Sequence, residues 1–426
     1  MYKKILSLLI VGVLNLGLIA CAGGSEPPVE PTLAPIIELP VVQPEPEPEF
    51  EGRFPGKVAI VTGDINMGYE FYSARYTIDM LGLGEDYAIH RVWPIMFVQE
   101  GDRMIEILEE IASDPDVKVL VINQAVIHTN AAVDRVRELR GDDIFIVYAQ
   151  AAEDSLEVAA RANLLLNIDL MNGYQFGSRL VHQAIAMGAE TIVHYSFPRH
   201  MSVPLLAMRR DVMRETAEAN GITFVELVAP DPMGDAGMPG TQRHITEDLP
   251  RQVEILGVNT AFFGTNCGMQ IPMIEQVVAT GAIYPSPCCP SPYHGFPTAL
   301  GIASHVPTGE VDEEGWEILR MHTLQEAVEK IRSEIARRGA SGRLSTWPVP
   351  AGMLWTYAGA FYGIEWMLGN VPQEHGVIDM DVLTSVMEDY IYMMSGERLG
   401  VHLEPLDFQG EVIPHYILGT LDYLVF

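Results

Sequence analysis

The chain has 426 residues, of which 48% are hydrophobic and 19% are charged, so it is long enough for two domains and can bury a large core. Asp and Glu outnumber Lys and Arg by 57 to 26, which gives a formal net charge of −31. A surface of that sign repels nucleic acids at long range, and we expect no nucleic-acid partner. The four cysteines are too few to form a disulfide scaffold.

Residues 1–20 have the features of a signal peptide. Two lysines precede an apolar run over residues 5–14, and Leu-Ile-Ala stands directly before Cys21. A basic start with a short apolar segment is typical of export signals, and the small residue before Cys21 resembles the lipobox of bacterial lipoproteins. We therefore expect lipidation of Cys21 and anchoring in the cell membrane at its extracytoplasmic face. A plain transmembrane anchor is the alternative, but Asn15 and Gly17 interrupt the run.

The segment that follows, residues 21–56, is predicted to be a disordered tether. Residues 22–56 contain nine prolines, seven glutamates and one basic residue, Arg53. Such a composition cannot form a core, because proline fixes φ and like charges extend the chain. At about 3.1 Å per residue the tether could reach roughly 100 Å from the lipid.

From Lys57 onward, apolar β-branched runs alternate with longer helical stretches, which predicts an α/β fold. The predicted strands cover residues 57–63, 88–94, 117–124, 144–150 and 164–169, and then 191–198, 223–230, 260–266 and 282–288. Continuous apolar runs indicate strands that are covered on both faces, hence parallel sheets. Two consecutive sets of similar size predict two Rossmann-like lobes, residues 57–170 and 171–300, with a hinge near Asp169–Gly173.

The last segment, residues 301–426, is predicted to pack back on both lobes and the hinge. Apolar residues at helical spacing predict helices over residues 312–338, 353–368 and 378–394. Residues 412–426 are strand-like.

The chain has none of the common catalytic or phosphate-binding signatures. G-x-S-x-G, H-E-x-x-H and the P-loop pattern are missing, and G-x-G-x-x-G does not follow the first predicted strand. We therefore expect no enzymatic activity and no cofactor.

Polar residues instead follow the predicted strands, and the carboxyl ends of parallel strands line the ligand crevice of open α/β sheets. Amides with a few charged groups suit a small polar molecule held by hydrogen bonds. The predicted ligand-binding residues are Asp64, Asn66, Asn123, Gln124, Gln150, Ser196, Arg199, His200, Asn266 and Gln270.

Two clusters raise the question of metal or thiol chemistry. His194 and His200 are six residues apart, so one strand or helix face cannot present both, and we predict no metal there. Cys267 follows one predicted strand, and Cys288 and Cys289 close the next. In an exported protein this favours a disulfide from Cys267 to Cys288 or Cys289; free thiols and a metal or redox site that includes His294 are the alternatives.

Several segments together carry a family resemblance. The spacing from Asp169 through Gly173, Tyr174 and Gly177 to Gly188 resembles the lobe-crossing helix of type I periplasmic binding proteins. More specific are VINQAV (121–126), HYSFPRHMS (194–202), APDP (229–232), AFFGTNCGMQ (261–270) and CCPSPYHGFPTALG (288–301). With these segments the chain, over residues 55–426, resembles an uncharacterised family of bacterial lipoproteins with a type I periplasmic-binding-protein-like fold. Residues 150–155 and 233–244 depart from the family pattern, so no relative's ligand is carried over.

The resemblance implies a lipid-anchored solute-binding protein that serves an ABC permease. Two lobes would close on a small-molecule ligand, because contacts that bridge them favour the closed state. One alternative is an enzyme that uses the cysteines with His200 or His294. Another is a sensory lipoprotein that uses the same cleft and signals to a membrane partner.

Overall fold

The computed structural model describes residues 54–64, 69–161, 165–169, 174–303, 305–311, 317–374, 376–408 and 410–426. The expected signal peptide, the lipidated Cys21 and almost all of the expected tether lie outside these residues. The same holds for most of the predicted hinge, since residues 170–173 are not described.

The first lobe is built around a parallel sheet, as the apolar runs predict. Its strands are β1 (Lys57–Thr62), β2 (Ala88–Val92), β3 (Val117–Asn123), β4 (Phe145–Ala149) and β5 (Leu165–Asp169), and its helices are α1 (Tyr69–Met80), α2 (Gly84–Tyr87), α3 (Gly101–Ser113), α4 (Thr129–Arg140) and α5 (Ser155–Ala159). In β3 every residue except Lys118 is buried. Helices α3 and α4 supply apolar side chains to the core on one face of this sheet, whereas α1 contributes to the core on the other face. Strands buried on both faces are therefore read correctly from the sequence.

The second lobe has a smaller parallel sheet, in the order β7-β6-β8. The lobe comprises α6 (Tyr174–Ala186), β6 (Thr191–Ser196), α7 (Pro198–Met201), α8 (Pro204–Ala219), β7 (Thr223–Val228), α9 (Gly237–Leu256), β8 (Thr260–Gly264), a 3-10 turn (Cys267–Met269), α10 (Gln270–Thr280) and α11 (Phe296–Leu300). Two separate parallel sheets confirm the prediction of two α/β lobes.

The return segment contributes to both lobes. It contains β9 (His305–Val311), β10 (Glu317–Met321), α12 (Leu324–Arg337), β11 (Ser345–Thr346), α13 (Ala351–Leu368), α14 (Met380–Ser395), β12 (Val401–Phe408), β13 (Glu411–Leu421) and β14 (Leu424–Val425). Strand β13 pairs in parallel with β5 and carries β12 on its outer edge, so the first sheet has seven strands in the order β12-β13-β5-β4-β3-β1-β2.

Helix α13 lies directly against the first sheet. It is mostly apolar, and thirteen of its eighteen residues are buried. Gly359 and Gly363 bring its backbone close to Val147 and Val119, because a Cβ atom at either glycine would lie 2.7 Å and 2.4 Å from these valines. The core on this face continues into the second lobe, where the Phe176 ring lies 5.5 Å from that of Trp347.

Two predicted elements differ from the structure. Residues 282–288 do not form a strand: only Ile283 and Tyr284 make bridges, since the prolines at 285 and 287 have no N–H to donate to a ladder. The helix predicted over residues 312–338 begins only at Leu324, after the strand β10. A capping box fixes that start, because the Thr323 hydroxyl accepts from the Glu326 N–H and the Glu326 carboxylate accepts from the Thr323 N–H.

In the described part of the chain, the helices are all too short or too polar to cross a bilayer.

Candidate functional site

The first lobe places a buried carboxyl group, Glu70, at the start of α1. Its side chain is 8% exposed. Burial raises the pKa of Glu70 to about 7, although a hydrogen bond with Gln124 opposes the shift. Among the described residues, none hydrogen-bonds its Oε2 atom. A buried oxygen without a partner is costly, and a ligand that donates a hydrogen bond would remove that cost.

Two predicted ligand-binding residues, Gln124 and Gln150, have a strained backbone. Their φ angles are 54° and 55°, in the left-handed region that non-glycine residues rarely adopt. They follow the neighbouring strands β3 and β4, and both side chains are half-buried. Strain of this kind is found most often at binding and catalytic sites. The backbone strain at these two strand ends therefore makes them candidates for ligand binding.

The neighbouring residue Asn123 has a different place. It is fully buried, and its Nδ2 lies 2.8 Å from Thr356 Oγ1 and 3.1 Å from both Ser73 Oγ and the Gly352 carbonyl. These contacts join β3 to α1 and α13. Asn123 therefore acts in the interior of the first lobe and does not face the strand ends.

In the second lobe, Ser196 and His200 meet at one threonine. Thr265 Oγ1 lies 2.9 Å from Ser196 Oγ and 3.1 Å from His200 Nδ1. Burial lowers the pKa of His200, and the nearby charge of Arg199 lowers it further. His200 is therefore neutral at neutral pH, which suits an uncharged hydrogen-bonding role.

The third predicted residue in this region, Arg199, forms a two-pronged ion pair with Asp231. Both N···O distances are 2.8 Å, and the arginine side chain is half-exposed. Its hydrogen bonds hold the pKa of the Asp231 carboxyl at about 2. The guanidinium is thus already neutralised by a partner.

Asn266 and Gln270 serve the local backbone. Asn266 Oδ1 accepts from the Gly268 N–H at 2.8 Å and so begins the 3-10 turn. Gln270 is fully buried; its amide donates to the carbonyls of Gly264 and Asn266, and its oxygen accepts from the Tyr284 hydroxyl. Each holds the turn that carries Cys267.

The three cysteines and His294 lie together beside that turn. Sγ of Cys267 is 3.7 Å from that of Cys288 and 4.0 Å from that of Cys289, and Cys288 and Cys289 are 3.8 Å apart. All three are free thiols, so the structure brings the sulfurs together without the expected disulfide. Cys267 is exposed and Cys288 is buried.

Cys267 and His294 shift each other's pKa in opposite directions. Burial alone would lower the pKa of His294, but hydrogen bonds with Cys267 and Cys289 raise it to about 10. Hydrogen bonds from Cys288 and Cys289, and then from His294, lower the pKa of Cys267. The cluster therefore favours a thiolate on Cys267.

The two lobes approach each other at this cluster. The Tyr69 ring from α1 stacks on Tyr293, which precedes His294, with ring centroids 6.4 Å apart. The charge of Cys267 also raises the pKa of Glu70, so the carboxyl of one lobe and the thiols of the other are close. We refer to Tyr69, Glu70, Gln124, Tyr293 and the cysteine–histidine cluster as the lobe-boundary site.

The remaining predicted residues lie apart or outside the described part. Asp64 is half-buried directly after β1, whereas Asn66 is not among the described residues. Sequence reasoning missed Tyr69, Glu70 and Tyr293. The signal for Glu70 was its place at the first helical turn after the β1 loop, where a carboxylate interacts favourably with the helix dipole.

Several known proteins are similar to this chain. Two uncharacterized proteins of Treponema pallidum (strain Nichols) match it: one is 30% identical over 174 residues, which is 41% of this chain and 78% of that protein, and the other is 33% identical over 183 residues, which is 42% and 80%. A crystal structure of a proposed transcriptional regulator from Clostridium difficile 630 has a TM-score of 0.72 at 20% identity, and the similarity covers 87% of this chain and 99% of that one.

A more distant structure is that of a sugar ABC transporter from Actinomyces odontolyticus, with a TM-score of 0.47 at 10% identity over 76% of this chain and 86% of that one. The family model for DUF3798, described as a protein of unknown function, matches residues 56–345. The chain therefore belongs to the DUF3798 family, and it has the two-lobed α/β fold of type I periplasmic binding proteins.

Proposed function

We propose that this protein is a lipid-anchored, extracytoplasmic solute-binding protein that captures a small polar molecule at the lobe-boundary site and delivers it to an ABC permease. The two-lobed fold supports a binding role. The lipobox at Cys21 and the acidic, proline-rich tether support the anchored location. The permease is the partner that this combination of features favours.

One observation carries the proposal: Glu70 Oε2 is buried and no described residue hydrogen-bonds it, and the charge of Cys267 in the second lobe reaches the Glu70 carboxyl. A solute that donates a hydrogen bond to Glu70 and also contacts the second lobe gains affinity only when the lobes are together. Such differential affinity is what drives closure in two-lobed binding proteins.

Native mass spectrometry of protein purified without refolding tests the proposal directly. We expect an adduct of one small polar molecule, which is then identified and added back to emptied protein. Thermal unfolding should shift upward with that molecule, and small-angle scattering should show compaction. The solute-dependent shift should be smaller in Glu70→Gln, whose amide oxygen is a weaker acceptor than a carboxylate, and unchanged in the matched control Glu106→Gln, an exposed glutamate on α3.

An unliganded mass, together with no thermal shift from sugars, amino acids, nucleosides or small organic acids, would refute solute capture. For the location, labelling with a radioactive fatty acid should modify the wild-type chain and leave Cys21→Ser unlabelled. Equal labelling of the two proteins would contradict the lipid anchor.

A second candidate, a thiol-dependent enzyme, is favoured only by the lowered pKa of Cys267 beside His294. In that case Cys267→Ser should abolish turnover of the co-purified molecule. If the Cys267→Ser variant binds the molecule with unchanged affinity and the wild-type protein releases it chemically intact, the enzyme hypothesis is rejected and the binding role remains.

A further inference from the structure

The thiol cluster has the composition of a metal site. Cys267, Cys288 and a ring nitrogen of His294 place their ligand atoms within 4.8 Å of one another, and Cys289 Sγ lies 4.0 Å and 3.8 Å from the other two sulfurs. Three sulfurs and one imidazole form one of the common ligand sets of tetrahedral zinc.

The separations of the sulfurs distinguish a metal site from a disulfide. With Zn–S bonds of about 2.3 Å, tetrahedral geometry places two sulfur ligands about 3.8 Å apart. The three observed separations are 3.7, 3.8 and 4.0 Å. The two sulfurs of a disulfide lie about 2.0 Å apart. Forming one here would require two of the sulfurs to move closer and would leave the third sulfur unpaired. The triangle as it stands is already the base of a zinc tetrahedron.

His294 is oriented as metal-bound histidines are. Its Nδ1 lies 2.8 Å from the carbonyl oxygen of Cys289. When Nδ1–H donates to that carbonyl, the lone pair is on Nε2 and is available to a metal. A second-shell hydrogen bond from the other ring nitrogen to a carbonyl is the usual way in which proteins fix a ligating imidazole.

Charge and access fit as well. Three thiolates and a divalent cation sum to −1, and the buried guanidinium of Arg209 lies close enough to Cys288 and Cys289 to interact with their charges. Cys288 is buried, whereas Cys267 is exposed and gives a route from solvent. Sulfur ligands select soft or borderline-soft ions over Mg²⁺ or Ca²⁺.

We propose that Cys267, Cys288, Cys289 and His294 bind one borderline-soft divalent ion of the Zn²⁺ class in tetrahedral geometry on the second-lobe side of the lobe boundary. The proposal goes beyond solute binding and does not depend on it. It also replaces the disulfide that the sequence favours for these cysteines.

The test uses the full-length protein, purified in detergent with a phosphine reductant, stripped of metal and titrated with Cd²⁺ and Zn²⁺. Cd²⁺ should produce thiolate-to-metal charge-transfer absorption that saturates at one ion per chain, and Zn²⁺ in large excess should compete with Cd²⁺ for that site. Changing a second-shell partner of a metal ligand typically costs about 10–100-fold in affinity. Loss of a ligand in Cys267→Ser or His294→Gln should therefore weaken binding by at least about 100-fold. The matched control His182→Gln, at an exposed histidine on α6, should bind as the wild type does.

A second measurement uses only the wild-type chain, so its result does not depend on whether the variants fold. Zn²⁺ should slow alkylation of Cys267 in the wild-type chain at equimolar concentration, with mass spectrometry locating the adduct. The proposal is overturned if reduced wild-type protein gives no saturable charge-transfer band, if folded Cys267→Ser binds as tightly as wild type, or if Zn²⁺ gives no protection. Because these readouts count metal and thiols, their failure leaves solute capture standing, and failure to find a solute leaves the metal site standing.

Discussion

Glu70→Gln is expected to stabilise the protein at alkaline pH and to have a much smaller effect at acidic pH. Glu70 has a folded-state pKa of about 7 against an ordinary value of 4.5, because burial disfavours the carboxylate. The folded state therefore binds more protons than the unfolded state between these two values. Stability consequently falls as pH rises from about 4.5 to about 7, and the loss is complete above that range. Glutamine keeps the shape of the protonated side chain and does not titrate.

The size of the effect follows from the two pKa values. From the two pKa values, the linkage relation between proton binding and folding predicts that Glu70→Gln raises the free energy of unfolding by about 1 kcal/mol at pH 5 and by about 3 kcal/mol at pH 8.5. The change between the two pH values, about 2.5 kcal/mol, is the quantity to test. The other acidic groups titrate equally in both proteins, so subtraction removes their contribution.

Urea unfolding at pH 5 and pH 8.5, with thiols kept reduced and metal removed, measures this difference. Glu106→Gln changes the same group at an exposed position and should stay within about 0.5 kcal/mol of wild type at both pH values. If Glu70→Gln shifted stability equally at pH 5 and pH 8.5, or destabilised the protein at pH 8.5, the assignment of a buried, protonated Glu70 would be refuted.

Three further substitutions test the packing that supports the site, each by chemical denaturation. Asn123→Ala should lower stability by about 2–3 kcal/mol, since the two Nδ2–H groups lose three nearby buried acceptors; a loss below about 1 kcal/mol would contradict the contacts described. Gly363→Ala should lower stability by about 1–3 kcal/mol because the new Cβ would lie 2.4 Å from Val119. A gain in stability, which is expected for a helix glycine with free space around it, would show that α13 does not pack closely on the sheet. Asp379→Ala should cost about 1 kcal/mol through loss of its bonds to the N–H groups of Asp381 and Val382 in α14, and unchanged stability would mean that water replaces the cap.

The lobes could be predicted from the sequence because β1, β3, β4, β6 and β8 are almost fully buried, although the edge strands β2 and β7 are not. Runs such as VKVLVIN in β3 are almost entirely apolar, and a run of that length and composition is typical of a strand inside a covered parallel sheet. The placement of β13 next to β5 could not be predicted, because it joins residues more than two hundred positions apart. The strand predicted over residues 282–288 and the helix start predicted at residue 312 were wrong. Prolines prevent the strand and a capping box sets the helix start, and hydrophobic spacing detects neither feature.

Sequence patterns indicate which residues follow the strands, but they do not indicate which side chains meet in the folded protein. Gln124 and Gln150 directly follow β3 and β4, as expected, but successive side chains of a strand point to opposite faces. Asn123 and Gln124 are adjacent, and only tertiary packing determines that the first joins α13 while the second meets Glu70. The proximity of Cys267 to Cys288 and Cys289 could be anticipated from two neighbouring predicted strands; in the structure an isolated parallel bridge from Ala261 to Ile283 brings the two segments side by side. Glu70 lies in the first turn of α1 and not at a strand end, so the strand-end rule does not find it.

The two proposals concern opposite sides of one boundary, and that placement has a physical consequence. Glu70 belongs to the first lobe and the thiols to the second, and their charges interact. Ionised Glu70 and thiolate Cys267 repel each other, which disfavours close approach of the lobes above neutral pH. A hydrogen-bond donor held at Glu70 reduces that repulsion in the arrangement where the lobes meet. Such a ligand therefore favours the joined lobes by its differential affinity.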